Sequence, residues 1–563
     1  MQEKKRKQQS FEYGAIILLC STMLVKIIGA IFKIPLSRLI GDLGFGYFSS
    51  AYDLFTPIYT LAMAGLPIAI SRIVAEHMAN ERYKDVKKAF SVTSKIFIIT
   101  GLTAMIIMLC LTPKFVDKTD PTGKTIYSIY AIVPALLICC ITSAFRGYYE
   151  GLRNMYPTAI SDVIEALGKL ILGYGIAFFV LKVTNDVALA AAGAMLGITI
   201  GSIAAATFLC LRYKIKGDGI TQVELQKSPE AKKTGAVVAG VIIIAVPVVL
   251  SSLANSFSSL ADTFFVKSQL THMMNFVADD IRNMYQASIE DYNKIYNEVL
   301  TNEQIPTFLY GIRGKAFTLY NLVPAITSVL GVSALPVLAT AWTKKDKALI
   351  KRNIESPMKV TAIISMPIGM GFIFMGDEIM SLLYSTVAST EIGGTILRIY
   401  GIAAIFAGIA IPMTSMLQSI KKELFAFINI AIGAVIKVGV NFLFVRIPSI
   451  NIKGAAIGTL ACFLFIFIAH FITLIVSTRV VPNIYKTIIK PFISAVLCGA
   501  SAFGVQYLLS DMGKIGTVLA IAAAAVVYFI VLIVLNTFEP DDIITLPKGE
   551  KLLKIMTKLK IIR

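Results

Sequence analysis

The feature that most constrains this chain is a repeated pattern of apolar runs, each about 20 residues long and crossed by few charges. A helix rises about 1.5 Å per residue, so one such run crosses about 30 Å of hydrocarbon. Within hydrocarbon every backbone N–H and C=O must be bonded inside the protein, which leaves helices and closed barrels. The runs are continuous rather than alternating, which disfavours a barrel. Composition agrees: 56% of residues are apolar, only 15% are charged, and the mean hydropathy is +0.75. Soluble domains are nearer 45–50% apolar and about 25% charged. These values exclude a water-soluble enzyme, a coiled coil and a disordered chain.

We read fourteen apolar helices, at 12–33, 51–71, 89–112, 127–144, 159–181, 188–211, 235–266, 316–341, 357–375, 395–418, 425–445, 454–477, 491–509 and 516–537. The chain is therefore expected to be an all-α polytopic membrane protein. The first run contains Lys26 and has no small-x-small cleavage site, so it reads as an uncleaved span rather than a signal peptide. The formal charge of +19 reflects 53 Lys and Arg against 34 Asp and Glu. With the N-terminus in the cytoplasm, the cytoplasmic segments carry more than twice as many Lys and Arg as the opposite side. That bias orients the chain and returns the basic tail, residues 548–563, to the cytoplasm. The excess charge suits an anionic leaflet, and no nucleic-acid partner is expected.

The seven cysteines all fall in apolar runs without metal-ligand spacing, and the three histidines are far apart in sequence. No metal, cofactor or catalytic nucleophile is expected. Asp117-Lys118-Thr119-Asp120 is similar to a phosphorylated-aspartate signature but lacks the following Gly-Thr. Gly123-Lys124-Thr125 lacks the upstream glycine of a phosphate-binding loop.

The second half repeats the first. Ala51-Tyr52-Asp53-Leu54-Phe55 pairs with Ala316-Phe317-Thr318-Leu319-Tyr320, and Leu66-Pro67-Ile68 with Leu335-Pro336-Val337. Val86-Lys87-Lys88 pairs with Ile350-Lys351-Arg352, Lys95 with Lys359, and Lys169 with Lys437. Gly193-Ala194-Met195-Leu196-Gly197 pairs with Gly454-Ala455-Ala456-Ile457-Gly458. A six-span unit repeated in the same order gives two bundles of equal topology, related by an axis along the membrane normal. We expect an N-terminal bundle over 1–234, a C-terminal bundle over 235–490, and two added helices with the basic tail over 491–563. Two such bundles around a central cavity are a transporter plan. Residues 267–315 interrupt the second bundle on the extracytoplasmic side. Met273, Phe276, Val277, Met284, Tyr285, Tyr292, Ile295, Tyr296, Val299 and Leu300 recur there at helical spacing. They predict one or two amphipathic helices, which either cap the outer mouth of the cavity or rest on the membrane surface.

Ionisable residues inside a span are costly and tend to face a cavity or a partner. Lys26 lies past the middle of the first span, and Lys33 follows two turns later on the same side. Arg38, Arg313, Lys315 and Arg398 cluster near outer ends of spans. These six are the candidate substrate-binding residues, with snorkelling to the interface as the alternative for Lys33, Arg38, Arg313 and Lys315. A cavity lined by cations suits a phosphate-bearing substrate. Lys169 has Glu165 four residues before it, the spacing of an intrahelical ion pair. Lys437 has no such partner in its own helix. Asp53 and Asp262 are candidates for coupling-cation binding, for pairing with cavity lysines, or for interfacial positions. Together these five are the candidate coupling or cavity residues. With no ATPase motif, transport must draw on a gradient, the membrane potential or consumption of product.

Three stretches carry a family resemblance. Lys26-Ile27-Ile28-Gly29 leads into Ile34-Pro35-Leu36-Ser37-Arg38-Leu39-Ile40-Gly41-Asp42-Leu43-Gly44-Phe45-Gly46. Ala64-Gly65-Leu66-Pro67-Ile68-Ala69-Ile70-Ser71-Arg72-Ile73-Val74-Ala75-Glu76 follows, and then Arg146-Gly147-Tyr148-Tyr149-Glu150-Gly151-Leu152-Arg153-Asn154-Met155-Tyr156-Pro157-Thr158-Ala159. In these the chain resembles the polysaccharide and lipid-linked oligosaccharide flippases of the MOP superfamily, in the branch of stage V sporulation protein B and MurJ. The resemblance implies a V-shaped pair of bundles, with a groove by the last two spans for a lipid tail. It implies export of undecaprenyl-pyrophosphate-linked sugars across the bacterial cytoplasmic membrane. Membrane lipids and the cell-wall synthesis machinery are the partners it suggests. Cations of the first and eighth spans would line the cavity. Lys26 occupies the first such position, Phe32 the second with Lys33 just beyond, and Arg313 matches the eighth-span arginine. The family's second-span arginine has no counterpart, and an acidic position aligns near Tyr47. Those departures bear on lipid II as cargo rather than on pyrophosphate-linked cargo in general. A cation-coupled drug or metabolite antiporter and a non-transporting scaffold are the competing readings.

Overall fold

The computed structural model describes residues 11–63 and 65–537, and every regular element among them is helical. The basic segments at residues 4–7 and 548–563 lie outside the described residues. Among the described residues eleven helices are long and apolar enough to cross a membrane, or twelve if the bent pair Ile305–Gly331 and Leu335–Thr343 is one span. The chain divides into two compact units. The N-terminal unit holds residues up to Thr271 together with Glu303–Gly311, and the C-terminal unit holds His272–Asn302 and the chain from Ile312 onward.

The N-terminal unit opens with α1 (Phe11–Met63) and α2 (Leu66–Ala79). The expected spans at 12–33 and 51–71 are not two helices joined by a loop. Residues 34–50 are helical too, interrupted where Gly41 adopts φ 69°, a left-handed conformation that only glycine takes cheaply. The second run breaks instead at Gly65, φ 74°, and Leu66-Pro67 restarts the helix with proline in the first turn, where its missing N–H costs nothing. Then come α3 (Tyr83–Thr119), α4 (Thr125–Gly151) and α5 (Tyr156–Gly168). A π-helical turn, Lys169–Gly173, joins α5 to α6 (Tyr174–Thr184), and α7 (Val187–Lys216) and the short α8 (Gln222–Lys227) follow.

The long α9 (Thr234–Met284) starts in the N-terminal unit and ends in the other, with an irregular residue at Val277. After α10 (Gln286–Tyr296), α11 (Ile305–Tyr320) likewise starts in the N-terminal unit and ends in the other. The amphipathic segment is thus helical. Met273, Tyr285, Tyr292 and Leu300 are buried, while Phe276, Met284, Ile295 and Val299 are exposed. It docks on loops of its own unit: Tyr285 OH donates to Asn451 Oδ1 at 2.7 Å, and the Val387 N–H donates to Asp291 Oδ2 at 3.0 Å.

The C-terminal unit continues with α12 (Leu322–Thr343), α13 (Lys347–Phe374) and α14 (Gly376–Tyr384). A π-helical turn, Ser389–Gly393, leads into α15 (Gly394–Ser419), followed by α16 (Glu423–Phe444) and α17 (Lys453–Thr478). A further π turn, Tyr485–Ile489, opens α18 (Lys490–Leu508), and α19 (Gly513–Val534) closes the described chain.

The two units share one internal plan. In the first, α4 packs against α2, α3 and α7, and α5 packs against α7. In the second, α15 packs against α12, α13 and α17, and α16 packs against α17. The repeated glycines serve the same crossings. A Cβ at Gly197 would overlap the backbone of Gly173, and one at Gly458 would overlap the Asn441 side chain. Small residues at such crossings let helix backbones approach where lipid gives no hydrophobic drive to association. The last two helices pack against each other, and α18 leans on α13.

Candidate substrate and coupling sites

On α1 the core face is Ile28, Phe32, Leu36 and Ile40, spaced every fourth residue. At about 100° per residue, Lys26 and Lys33 lie within about 20° of each other on a different face, while Arg38 points about 120° away from Lys26. Lys26 is exposed and Lys33 half-buried. The Lys33 Nζ stands 4.9 Å from the centre of the Tyr52 ring. Phe32, at the position where the family resemblance expects a cation, is 1% exposed and packs against Phe48. Its neighbour Lys33 therefore carries the charge on the more accessible face.

A second group lies at the other end of α1. Tyr310 OH donates to Asp53 Oδ2 at 2.7 Å and lies 3.3 Å from Thr263 Oγ1. Lys267 is fully buried, donates to Ser50 Oγ at 2.9 Å and sits 5.7 Å from the Tyr310 ring centre. Asp262 is buried one turn before it. Backbones touch closely here: a Cβ at Gly46 would overlap the Thr307 carbonyl, and one at Gly311 the Asp42 carbonyl. Sequence reasoning placed Lys267 in a loop. Its position at the end of a long apolar run was the signal for a buried charge.

The third group was partly missed. Glu165 does not pair with Lys169 along its own helix. Its carboxylate accepts from Arg146 Nη2 at 3.0 Å, while Arg146 Nη1 meets Asp162 Oδ1 at 2.9 Å and Nε donates to Ser161 Oγ at 2.9 Å. The π turn that starts at Lys169 interrupts the helix just where a four-residue pair would close. One guanidinium from α4 thus bridges two carboxylates of α5, a fork geometry that arginine provides and lysine cannot. Ser202 of α7 reaches Glu165 Oε1 at 3.4 Å. Asp162 and Glu165 share a helix face at i and i+3, a pattern that calls for a cation from another helix.

In the C-terminal unit the predicted cations are structurally occupied. Arg313 is 2% exposed, with its guanidinium 5.0 Å from the Phe317 ring centre. Lys315 is fully buried, donates to Ser389 Oγ at 3.2 Å and lies 5.1 Å from the Tyr384 ring. Arg398 pairs with Asp377 at 2.6 Å on an accessible surface. Burial pushes the Asp377 carboxyl up, against the opposing pull of Arg398. Lys437 is half-buried on α16. His470, unassigned from sequence, is fully buried. Asn429 Nδ2 reaches its Nδ1 at 3.1 Å, and Thr414 Oγ1 lies 3.0 Å from its Nε2. Among the described residues no group of three His, Cys, Asp or Glu could hold a metal ion.

Two family descriptions match consecutive parts of the chain: "Polysaccharide biosynthesis protein" over residues 13–273 and "MatE" over 313–443. Stage V sporulation protein B of Bacillus subtilis (strain 168) is 26% identical over 561 residues, covering 96% of this chain and 98% of the relative. The lipid II flippase MurJ of the same organism is 23% identical over 467 residues, covering 81% of each. Among solved structures, lipid II flippase MurJ in an inward closed conformation superposes with a TM-score of 0.63 at 16% identity, over 92% of this chain and 98% of that one. An inward-facing multidrug resistance MATE transporter of the MOP superfamily gives 0.59 at 15% identity, over 83% and 99%. The chain has the fold of these transporters of the MOP superfamily. Its apolar helices are those of a multi-pass membrane protein. The first family match contains Lys26, Lys33, Arg146 and Glu165, and the second contains Arg313, Lys315, Arg398 and Lys437.

Proposed function

We propose that this chain is a MOP-superfamily transporter that moves an undecaprenyl-pyrophosphate-linked saccharide, with lipid II or a related peptidoglycan precursor as first choice, from the inner to the outer leaflet. It acts in a bacterial cytoplasmic membrane by alternating access, with both termini cytoplasmic. The observation that carries this reading is the placement of Lys26 and Lys33 on one face of a membrane-embedded helix, beside rather than inside the unit's core. Two lysines about 20° apart and about 10 Å along one helix put two positive charges on one face, which their flexible stems can bring toward a pyrophosphate. Relatives named as a sporulation protein and a lipid II flippase support the cargo class. Cell-wall synthesis enzymes are the natural consumers of such a product. Capsule, teichoic or exopolysaccharide repeat units carry the same pyrophosphate and stand second.

The test is lipid II exposure on the outer leaflet of cells depleted of their own flippase. The parent protein should restore surface labelling, and Lys26→Ala, at equal membrane abundance, should not. Restoration by both would remove Lys26 from the mechanism.

One observation favours a cation-coupled cycle, whether for a flippase or for a drug or metabolite antiporter. The Arg146–Asp162–Glu165 network places two carboxylates against one guanidinium inside a bundle, and buried ionisable groups of this kind mark proton or ion relays. We assign coupling to Glu165 with Lys169 nearby, ahead of Asp53, Asp262 and Lys437. A proton-coupled cycle predicts transport that responds to a pH gradient in the parent and not in Glu165→Gln.

A further inference from the structure

The C-terminal unit contains a cavity of about 320 Å³ that, of the groups above, only the Asp377–Arg398 pair touches. It opens between α14, the Ser389–Gly393 turn, α18 and α19, and is lined by Asp377, Glu378, Thr390, Gln506, Lys514 and Thr517. Three of its acceptor atoms, Asp377 Oδ1, Glu378 Oε2 and Gln506 Oε1, are buried without a donor among the described residues. Buried acceptors of this kind cost free energy unless something donates to them. The charges around the cavity are already balanced. Arg398 holds Asp377 at 2.6 Å, and Lys514 donates to Ser385 Oγ at 2.6 Å on the rim. Two carboxylates matched by two cations leave no net charge to attract a metal ion, while Leu382 and Gly513 place apolar surface among the polar groups, surface that the C–H face of a sugar ring can cover.

A neutral molecule with several hydroxyl donors answers all three features. We infer that this cavity is a saccharide-binding subsite, sized for one or two sugar rings. Its acceptors take hydroxyl protons and Lys514 supplies a donor, while the Thr390 and Thr517 hydroxyls, which donate to the Thr386 and Gly513 carbonyls, add two more acceptors. This rests on the flippase reading and on the charge-derived orientation, which place residues 376–394 and 510–515 on the extracytoplasmic side. The subsite would then meet the glycan after it has crossed, and would bias the cycle toward release outward rather than return.

The experiment uses the full chain in lipid nanodiscs. N-acetylglucosamine, its β-1,4-linked disaccharide and glucose are added at millimolar concentrations, and hydrogen exchange is followed along the chain. A saccharide should slow exchange in residues 376–393 and 506–517, and saturation-transfer NMR should report its binding. Glu378→Gln keeps shape and removes charge, and Gln506→Ala removes an acceptor. Each should weaken saccharide binding about tenfold, within the range for loss of one buried hydrogen bond, with an unchanged melting temperature for Glu378→Gln. Absence of protection by any of the sugars, or protection by calcium or magnesium alone, overturns the inference. Lys26→Ala separates the two proposals. Lost transport with retained sugar protection supports both. Lost transport without protection in the parent leaves the flippase reading standing and ends this one. Normal transport in Lys26→Ala with protection intact removes Lys26 from the mechanism and leaves the subsite standing, whereas protection in a parent that transports no lipid-linked saccharide ends the flippase reading alone.

Discussion

The two units are built on the same frame and differ in where they hold paired charge. In the N-terminal unit, Arg146 joins Asp162 and Glu165, so an ion-paired network ties helices together inside the bundle. In the C-terminal unit the comparable tie between helices is neutral: His470 of α17 meets Asn429 of α16 and Thr414 of α15. Its Arg398–Asp377 pair lies on an accessible surface, and Lys315 meets a serine and an aromatic ring much as Lys267 does in the other unit. An internal duplication conserves packing because glycine crossings and helix order leave little freedom. It does not conserve polar chemistry, because any fully satisfied network can hold a bundle together. The asymmetry points to the N-terminal unit as the one whose charges were kept for work on an ionic substrate or a coupling ion.

The sharpest way to break this comparison is to remove the charge from one network and the polarity from the other. Arg146→Met leaves two carboxylates facing each other with no cation, and breaking a buried pair in this way costs about 3–5 kcal/mol. We expect loss of folded protein in the membrane, measured as detergent-resistant monodispersity and melting temperature. His470→Leu strands only neutral Asn429 and Thr414 partners and should cost less, about 1–3 kcal/mol. Equal losses would contradict the division between an ionic and a neutral unit.

A second pair tests the shared frame. Gly197→Ala pushes a methyl into the Gly173 backbone, and Gly458→Ala pushes one onto Asn441. Overpacking costs about 1–3 kcal/mol. Both should lower the melting temperature, Gly197→Ala by more, since a backbone cannot move aside as a side chain can. If either is neutral, the glycines are not doing the same job in the two units.

The smallest effect concerns the end of the N-terminal unit opposite Lys267. Asp218 accepts from Tyr148 OH at 2.5 Å and pairs with Lys87 at 2.6 Å. Burial pushes its carboxyl up, but hydrogen bonds from Lys87 and Tyr148 outweigh burial and hold it below the usual range. A depressed value means that the contribution is present above the ordinary carboxylate range and is lost as pH falls through the folded value. The difference in melting temperature between the parent and Asp218→Asn should be full at pH 7 and shrink below about pH 4. Because Lys87 is partly exposed, screening keeps the ion-pair share below about 1 kcal/mol. A difference that stays constant down to low pH would remove Asp218 as the titrating group.

Periodicity and hydropathy made the helical membrane class legible, and repeated glycines made the doubled frame legible. The bend at Gly41 was not, since a single left-handed glycine leaves no mark on hydropathy and the helix simply resumes after it. The Lys26 and Lys33 pair could be read from spacing alone because one helix carries both. The Arg146 network could not, because its members lie 15 to 19 residues apart and meet only when α4 folds against α5. Local spacing favoured Lys169 as the partner of Glu165, and tertiary packing supplied a better one. Lys267 was hidden for a related reason: its ligands Ser50 and the Tyr310 ring come from distant parts of the chain.

The central claim is that the Lys26 face of α1 carries a pyrophosphate-linked saccharide across the bilayer. The most direct measurement is flipping of a fluorescent undecaprenyl-pyrophosphate disaccharide in proteoliposomes, read by quenching of the outward-facing label. Parent protein and Lys26→Arg should flip the lipid, while Lys26→Ala, equally folded and equally inserted, should fall to the rate of empty liposomes. Flipping by Lys26→Ala at the parent rate, or no flipping by the parent while it moves small cationic drugs instead, would contradict the account.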